Sequence, residues 1–224
     1  MGDMAALPEK ATGERAEAAE TDLLCVLCGL CGCFPPAAIL AQEEQVTDLE
    51  ALRYPLGRFQ RATGPLDRAT RDAHLATIEG APARFRSLVT GLSDAQLDSP
   101  YRPGGWTIRQ VIHHVPDSHM NAYIRTKLAV TEENPRITTY EEQLWAELPE
   151  AKSGPIEVSL TLLDALHRRW LAFLRALPES DFRKTFQHKE WGAMTVDEAI
   201  ALYAWHCRHH SAHIEQALAV APAG

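Results

Sequence analysis

The chain has 224 residues, a formal charge of −8 and a hydrophobic share of 46%, which is enough for one sizeable core plus a tail. Residues 1–50 hold ten acids and two bases, so that segment carries the whole imbalance and the remaining residues balance. No basic face or run appears, which excludes the electrostatic footprint of a nucleic-acid binder.

In chain order, residues 1–22 are Ala/Glu-rich and acidic, with no apolar period. Leu23 to Ala41 is uncharged and about as long as a membrane span. Pro35-Pro36 and two glycines interrupt it, and its upstream flank is acidic, so it reads neither as a signal peptide nor as a transmembrane helix. Four of the five cysteines fall here, at Cys25, Cys28, Cys31 and Cys33. The final gap of one residue, where an iron–sulfur run of this type has three, argues against a cluster. We expect residues 1–50 to be a disordered tail or an upstream extension from a misassigned start, and residues 51–221 to form the domain. That body keeps a single thiol, Cys207, which suits a reducing cytoplasm.

Tyr54-Pro55-Leu56-Gly57 is a non-helical lead-in. Apolar spacing predicts a first helix from about Asp67 to Leu92, burying Leu75, Ile78, Ala81, Phe85, Leu88 and Val89 and kinked or broken at Pro82. Ser93 caps a short helical turn. Tyr101-Arg102-Pro103-Gly104-Gly105-Trp106 is a turn, because proline and paired glycines cannot continue a helix. Thr107 and Gln110 form a capping box for a second helix that carries Ile108, Val111, Ile112, Val115, His119 and Tyr123, with a kink expected at Pro116. Residues 131–155 are a long connection, a lid or a crossover, broken by a short helix near Glu141 to Leu148. A third helix spans Ile156 to Leu177, with Val158, Leu162, Leu163, Leu166, Trp170, Phe173 and Leu174 in its apolar stripe. Its His167-Arg168-Arg169-Trp170 segment reads as a wide core flank with snorkelling arginines. Phe182 to Met194 is a short linker, and no strand-like alternation is apparent. The pattern is all-α, a helical bundle with a long crossover connection.

The last helix starts at a second capping box, Thr195 with Glu198, and holds four of the ten histidines between His206 and His213. Ile200, Ala204, Cys207, Ile214 and Leu218 make an apolar stripe, flanked by Tyr203, His206 and His210. His206 and His210 are an i, i+4 pair, about 5–6 Å apart at Cβ and tilted alike, a spacing that lets two imidazoles share one divalent ion. His209 and His213 repeat the spacing in a worse direction: His209 points to the opposite side and His213 lies near the edge. One member of the His113-His114 doublet on the second helix would supply a third ligand.

Taken together, the blocks Tyr54 to Gly57, Tyr101 to Thr107, His113 to Asn121, Tyr123 to Arg125, Leu166 to Trp170 and Tyr203 to Ile214 resemble the DinB/YfiT-like superfamily. The branch is the one labelled "putative metal-dependent hydrolases", and the resemblance covers about Tyr54 to Val220. It implies a four-helix bundle, often a homodimer, with one divalent metal per subunit on three histidines. In the family the first ligand belongs to a His-x-x-Asp element on the second helix, here His114 with Asp117. The other two are the His-x-x-x-His pair, here His206 and His210. Two features depart from the family pattern: Pro116 inside the His-x-x-Asp element, which makes His113 the fallback ligand, and the cysteine-bearing tail.

Three neutral imidazoles leave a zinc-like ion an open position, the pattern of catalytic sites; nickel suits imidazole as well. Two reactions follow. One is hydrolysis of a small-molecule substrate by activated water, with Asp117, His119 and His209 as candidate acid/base groups. The alternative is transfer to a low-molecular-weight thiol of the bacillithiol type, with Arg125, Lys127, Arg168 and Arg169 as candidate contacts for its carboxylates. A third reading is non-enzymatic, a metal-stabilised stress or binding module. No nucleic acid and no membrane is expected as a partner.

Overall fold

The computed structural model describes residues 49–220. The acidic segment, the uncharged run and the cysteine cluster of the tail lie outside the described residues; of residues 1–50 only Leu49 and Glu50 are described, and both are helical. After helical residues 49–53, the elements are α1 (Arg68–Val89), α2 (Asp94–Leu97), α3 (Ile108–Thr131), α4 (Glu142–Ala146), α5 (Pro149–Ser153) and α6 (Ile156–Arg175). A 3-10 turn (Glu179–Arg183), β1 (Thr185–His188), β2 (Gly192–Thr195) and α7 (Val196–Val220) complete the order.

The helix ends are set by side chains. Asp67 accepts the Thr70 N–H at 2.7 Å and starts α1. Thr107 and Gln110 cap α3 reciprocally, and Thr195 and Glu198 do the same for α7, as their spacing predicts. Of the kink or break expected at Pro82, the break does not occur: α1 runs through it, as α3 runs through Pro116. Both prolines are buried, so packing of the apolar faces on either side outweighs one missing helical hydrogen bond.

The four long helices form a four-helix bundle in which α6 and α7 each pack against both α1 and α3. Trp170 sits at its centre, fully buried, with its indole N–H donated to the Thr126 hydroxyl at 3.1 Å. Val158 and Leu162 do not join this core. They lie on the outer face of α6, 66% and 39% exposed, whereas Leu160, Leu163, His167, Trp170 and Leu171 face inward. At 100° per residue Val158 lies about 160° round the helix from Leu160, so the two cannot share a face.

Residues 132–155 are the crossover. Helices α4 and α5 pack back onto α3, where Gln110 donates to the Ala146 carbonyl at 2.7 Å and Arg109 to the Gly154 carbonyl at 3.1 Å. The stretch read as a linker, Phe182 to Met194, contains an antiparallel hairpin, with Thr185 opposite Thr195 and His188 opposite Gly192. The crossover runs beside it, held by the Gln187 N–H on the Pro135 carbonyl at 2.8 Å. A buried ion pair closes the other side of the bundle, where Arg71 on α1 meets Asp197 at 2.6 Å and Glu179 at 2.9 Å.

Candidate metal centre

His114 lies in the second turn of α3, and His206 and His210 lie one turn apart on α7 where it packs on α3. Their Nε2 atoms converge: His114 and His206 are 3.3 Å apart, and His206 and His210 are 3.2 Å apart. One nitrogen from each of the three rings lies within 4.8 Å of the others. Nitrogens about 2.0–2.1 Å from a tetrahedral ion stand about 3.3–3.4 Å from one another, so the donor set fits a zinc-sized cation. Burial holds all three rings in the neutral, ligating form: it pushes His114 down to about 3 and His206 and His210 well below the usual imidazole range. The neighbouring imidazoles add to the shift.

The walls of the site come from the turn before α3 and from the lead-in. Gly104 takes a φ of +66°, and the turn closes with the Tyr101 N–H donated to the Trp106 carbonyl at 3.1 Å. This places Trp106 on His114, with ring centroids 4.6 Å apart, and stacks Tyr101 on His213 at 3.9 Å. A side chain at Gly105 would strike Arg102 and Tyr101, the nearest atom at 2.7 Å, so the roof needs glycine there.

His209 and His213 are fully buried, against the expectation of an outward and an edge position. His209 is stacked on Trp205 at 4.3 Å and on Tyr54 at 6.1 Å; Tyr54 comes from the lead-in. His213 reaches the Arg53 carbonyl at 3.1 Å and His210 Nδ1 at 3.3 Å. Segments outside the bundle thus cover faces of α7 that a bundle alone would leave to solvent. His113 turns away from the centre, towards Ser159 at 2.7 Å and the Gly154 carbonyl at 3.2 Å, so the doublet divides its roles in favour of His114.

The other candidates scatter. Asp117 is half-buried one helical turn after His114, and burial, with Glu150 nearby, pushes its carboxyl up to about 6. His119 is fully buried, with His206 Nδ1 at 3.1 Å on one side and His167 Nε2 at 2.8 Å on the other. Arg125 is buried and makes one hydrogen bond, to the Thr138 carbonyl at 3.2 Å, beside a small cavity lined also by His188, Trp191 and Tyr203. Lys127 is spent on the Tyr123 hydroxyl at 3.1 Å. Arg168 and Arg169 are exposed on α6; Arg168 pairs with Asp164 in the preceding turn at 2.5 Å. Sequence reasoning missed His167. The inward face of α6, taken residue by residue, includes it one turn before Trp170.

Residues 77–214 match the family model described as DinB superfamily. The chain belongs to the DinB superfamily. Within it, a Bacillus mycoides protein named "putative metal-dependent hydrolase" is 51% identical over 166 residues, covering 74% of this chain and 95% of that one. A Bacillus cereus protein of the same name is 52% identical over 163 residues, covering 73% and 93%. Among solved structures, YfiT from Bacillus subtilis, described as "a probable metal-dependent hydrolase with an unusual four-helix bundle topology", superposes with a TM-score of 0.72. It is 43% identical, over 75% of this chain and 95% of that one. The DinB fold expected from the motif blocks is therefore the fold observed.

Proposed function

We propose that this DinB protein is a metal-dependent hydrolase whose divalent ion is held by His114, His206 and His210. The observation that carries the reading is the convergence of three buried imidazoles: His206 Nε2 lies 3.3 Å from His114 Nε2 and 3.2 Å from His210 Nε2, and one nitrogen from each ring lies within 4.8 Å of the others, a separation that donors around one cation can span. The names of its relatives point the same way. Held by these three imidazoles, a divalent ion such as zinc or nickel would supply Lewis acidity and lower the pKa of water towards neutrality. The chain's own residues do the rest. Trp106 covers two of the ligands and keeps bulk water from that side. Asp117, one helical turn from His114 and raised to about 6 by burial, is the carboxylate that would take a proton from the nucleophile and return it to the leaving group.

The test is elemental analysis of tag-free protein, followed by a screen of esters, amides and electrophiles with and without small thiols. Metal-dependent turnover without thiol supports hydrolysis. Loss of the metal with no change in any turnover leaves the non-enzymatic module as the reading.

Arg125 favours a second reading, thiol transfer. Of the arginines buried in the described residues, Arg71 has Asp197 and Glu179, Arg109 has Asp94 and Asp98, and Arg125 has no carboxylate. It stands eleven residues beyond His114 on α3, roughly 16 Å along the axis, a reach that suits an extended acidic thiol. Homodimer formation belongs to the same proposal, with exposed Val158 and Leu162 as the candidate face. Sedimentation of a Leu162→Glu variant tests it.

A further inference from the structure

Pro82 sits inside α1 and has no N–H, so the carbonyl of Ile78, four residues earlier, lacks its helical donor. That carbonyl instead meets His167 Nδ1 from α6 at 2.7 Å. A carbonyl can only accept, so His167 carries its proton on Nδ1. The ring is 1% exposed and makes its other hydrogen bond to an imidazole, so it is neutral and its Nε2 can only accept. His119 Nδ1, at 2.8 Å, is then the donor. The same logic passes through the fully buried His119 ring to its Nε2, which accepts from His206 Nδ1 at 3.1 Å. His206 is left with its proton on Nδ1 and a bare Nε2, the atom facing His114 and His210. Each assignment follows from the one before, and the first admits no alternative.

We propose that the Pro82-released carbonyl of Ile78, together with His167 and His119, forms a tautomer-setting relay that fixes His206 with its Nε2 lone pair on the metal position. A free imidazole side chain in water prefers its proton on Nε2, the tautomer that would point an N–H at the cation. The relay removes that preference before the ion arrives and fixes the plane of the ring. His167 and His119 are thus positioning residues, acting through His206. The consequence for metal affinity rests on the metal reading above, but the proton positions do not.

The test uses the full chain with 15N-labelled histidine, stripped of metal, at a pH above the imidazole range. Long-range 15N–1H correlation spectra give the tautomer of each ring. Protons on Nδ1 of His167, His119 and His206 are expected; a proton on Nε2 of His206 overturns the relay. Zinc and nickel titrations of variants then read its consequence. His167→Leu removes the acceptor for His119 and is expected to weaken affinity about 10- to 100-fold. His167→Gln keeps both an acceptor and a donor and is expected to restore affinity to within a few-fold. Pro82→Ala returns a helical N–H to the Ile78 carbonyl, so the protein is expected to melt higher yet hold metal more weakly. A purely structural role for Pro82 would not give that opposition. Wild-type affinity in both His167→Leu and Pro82→Ala also overturns the relay. Should the unaltered protein bind neither ion while its tautomers are as stated, the metal reading fails and the relay stands.

Discussion

At the scale of single residues, the seven histidines of α3 and α7 are not equivalent, although four of them lie within eight positions of one another. His206→Ala and His210→Ala are each expected to lose nearly all bound metal after dialysis. His209→Ala is expected to retain most of it while melting at a lower temperature, because His209 serves a stack with Trp205 and Tyr54. Equal metal loss at all three positions would mean that the wrong pair has been chosen. Asp117→Asn should leave metal content unchanged and lower the metal-dependent rate by about 10²- to 10⁴-fold, the range for a positioned acid/base group. An unchanged rate would remove Asp117 from the mechanism. The His206/His210 pair is legible from spacing alone, since i, i+4 neighbours share a helix face. The choice of His114 over His113 came from the family resemblance. The two rings take opposite courses: His114 meets His206 at 3.3 Å, whereas His113 meets Ser159 at 2.7 Å. The inward aim of His209 and His213 was not legible, because the sequence gives no sign that Tyr54 and Tyr101 return to cover those faces.

At the scale of elements, capping chemistry and apolar period placed all four long helices to within a few residues. Two readings failed for physical reasons. Each strand of the hairpin is four residues long and carries one deeply buried apolar side chain, Phe186 in β1 and Met194 in β2, too few to show a period of two. The α6 stripe was drawn too wide, taking in Val158 and Leu162 from the outer face. The link between α1 and α7 carries a prediction of its own. Arg71 and Asp197 are each 4% exposed at the side chain, so Asp197→Asn leaves a buried guanidinium with only the more exposed Glu179. A loss of about 3 kcal/mol is expected, at the low end for breaking a buried pair. Urea unfolding measures it; a loss under about 1 kcal/mol would show that Glu179 and solvent suffice.

At the scale of the molecule, the concentration of buried imidazoles sets the response to acid. Burial lowers His114 to about 3 and His167, His188 and His213 to about 4, and puts His119, His206 and His210 well below the normal value. Their unfolded counterparts titrate near 6.5, so between about pH 6.5 and pH 4 the unfolded chain binds more protons than the folded one. Stability is therefore level above about pH 6.5 and falls steadily as pH drops through that window. Asp117 works in the opposite sense, because its carboxyl is raised to about 6, but it is one group against seven. Thermal melts of metal-stripped protein from pH 8 to pH 4 check the sign, and a melting temperature flat to pH 4 would contradict it. None of the described helices is long and apolar enough to cross a membrane.

The hydrogen-bonded line from the Ile78 carbonyl to His206 touches α1, α6, α3 and α7 in turn, so every long helix owns one link. A donor set tied to all four long helices in this way would hold its geometry through loading and release, with no refolding required. Under the metal reading proposed above, selection among competing ions would pass from the polypeptide to the surroundings, to whichever imidazole-binding cation the host keeps in freest supply. Protein produced in media enriched in zinc, nickel or cobalt should consequently differ in cargo while sharing one backbone conformation.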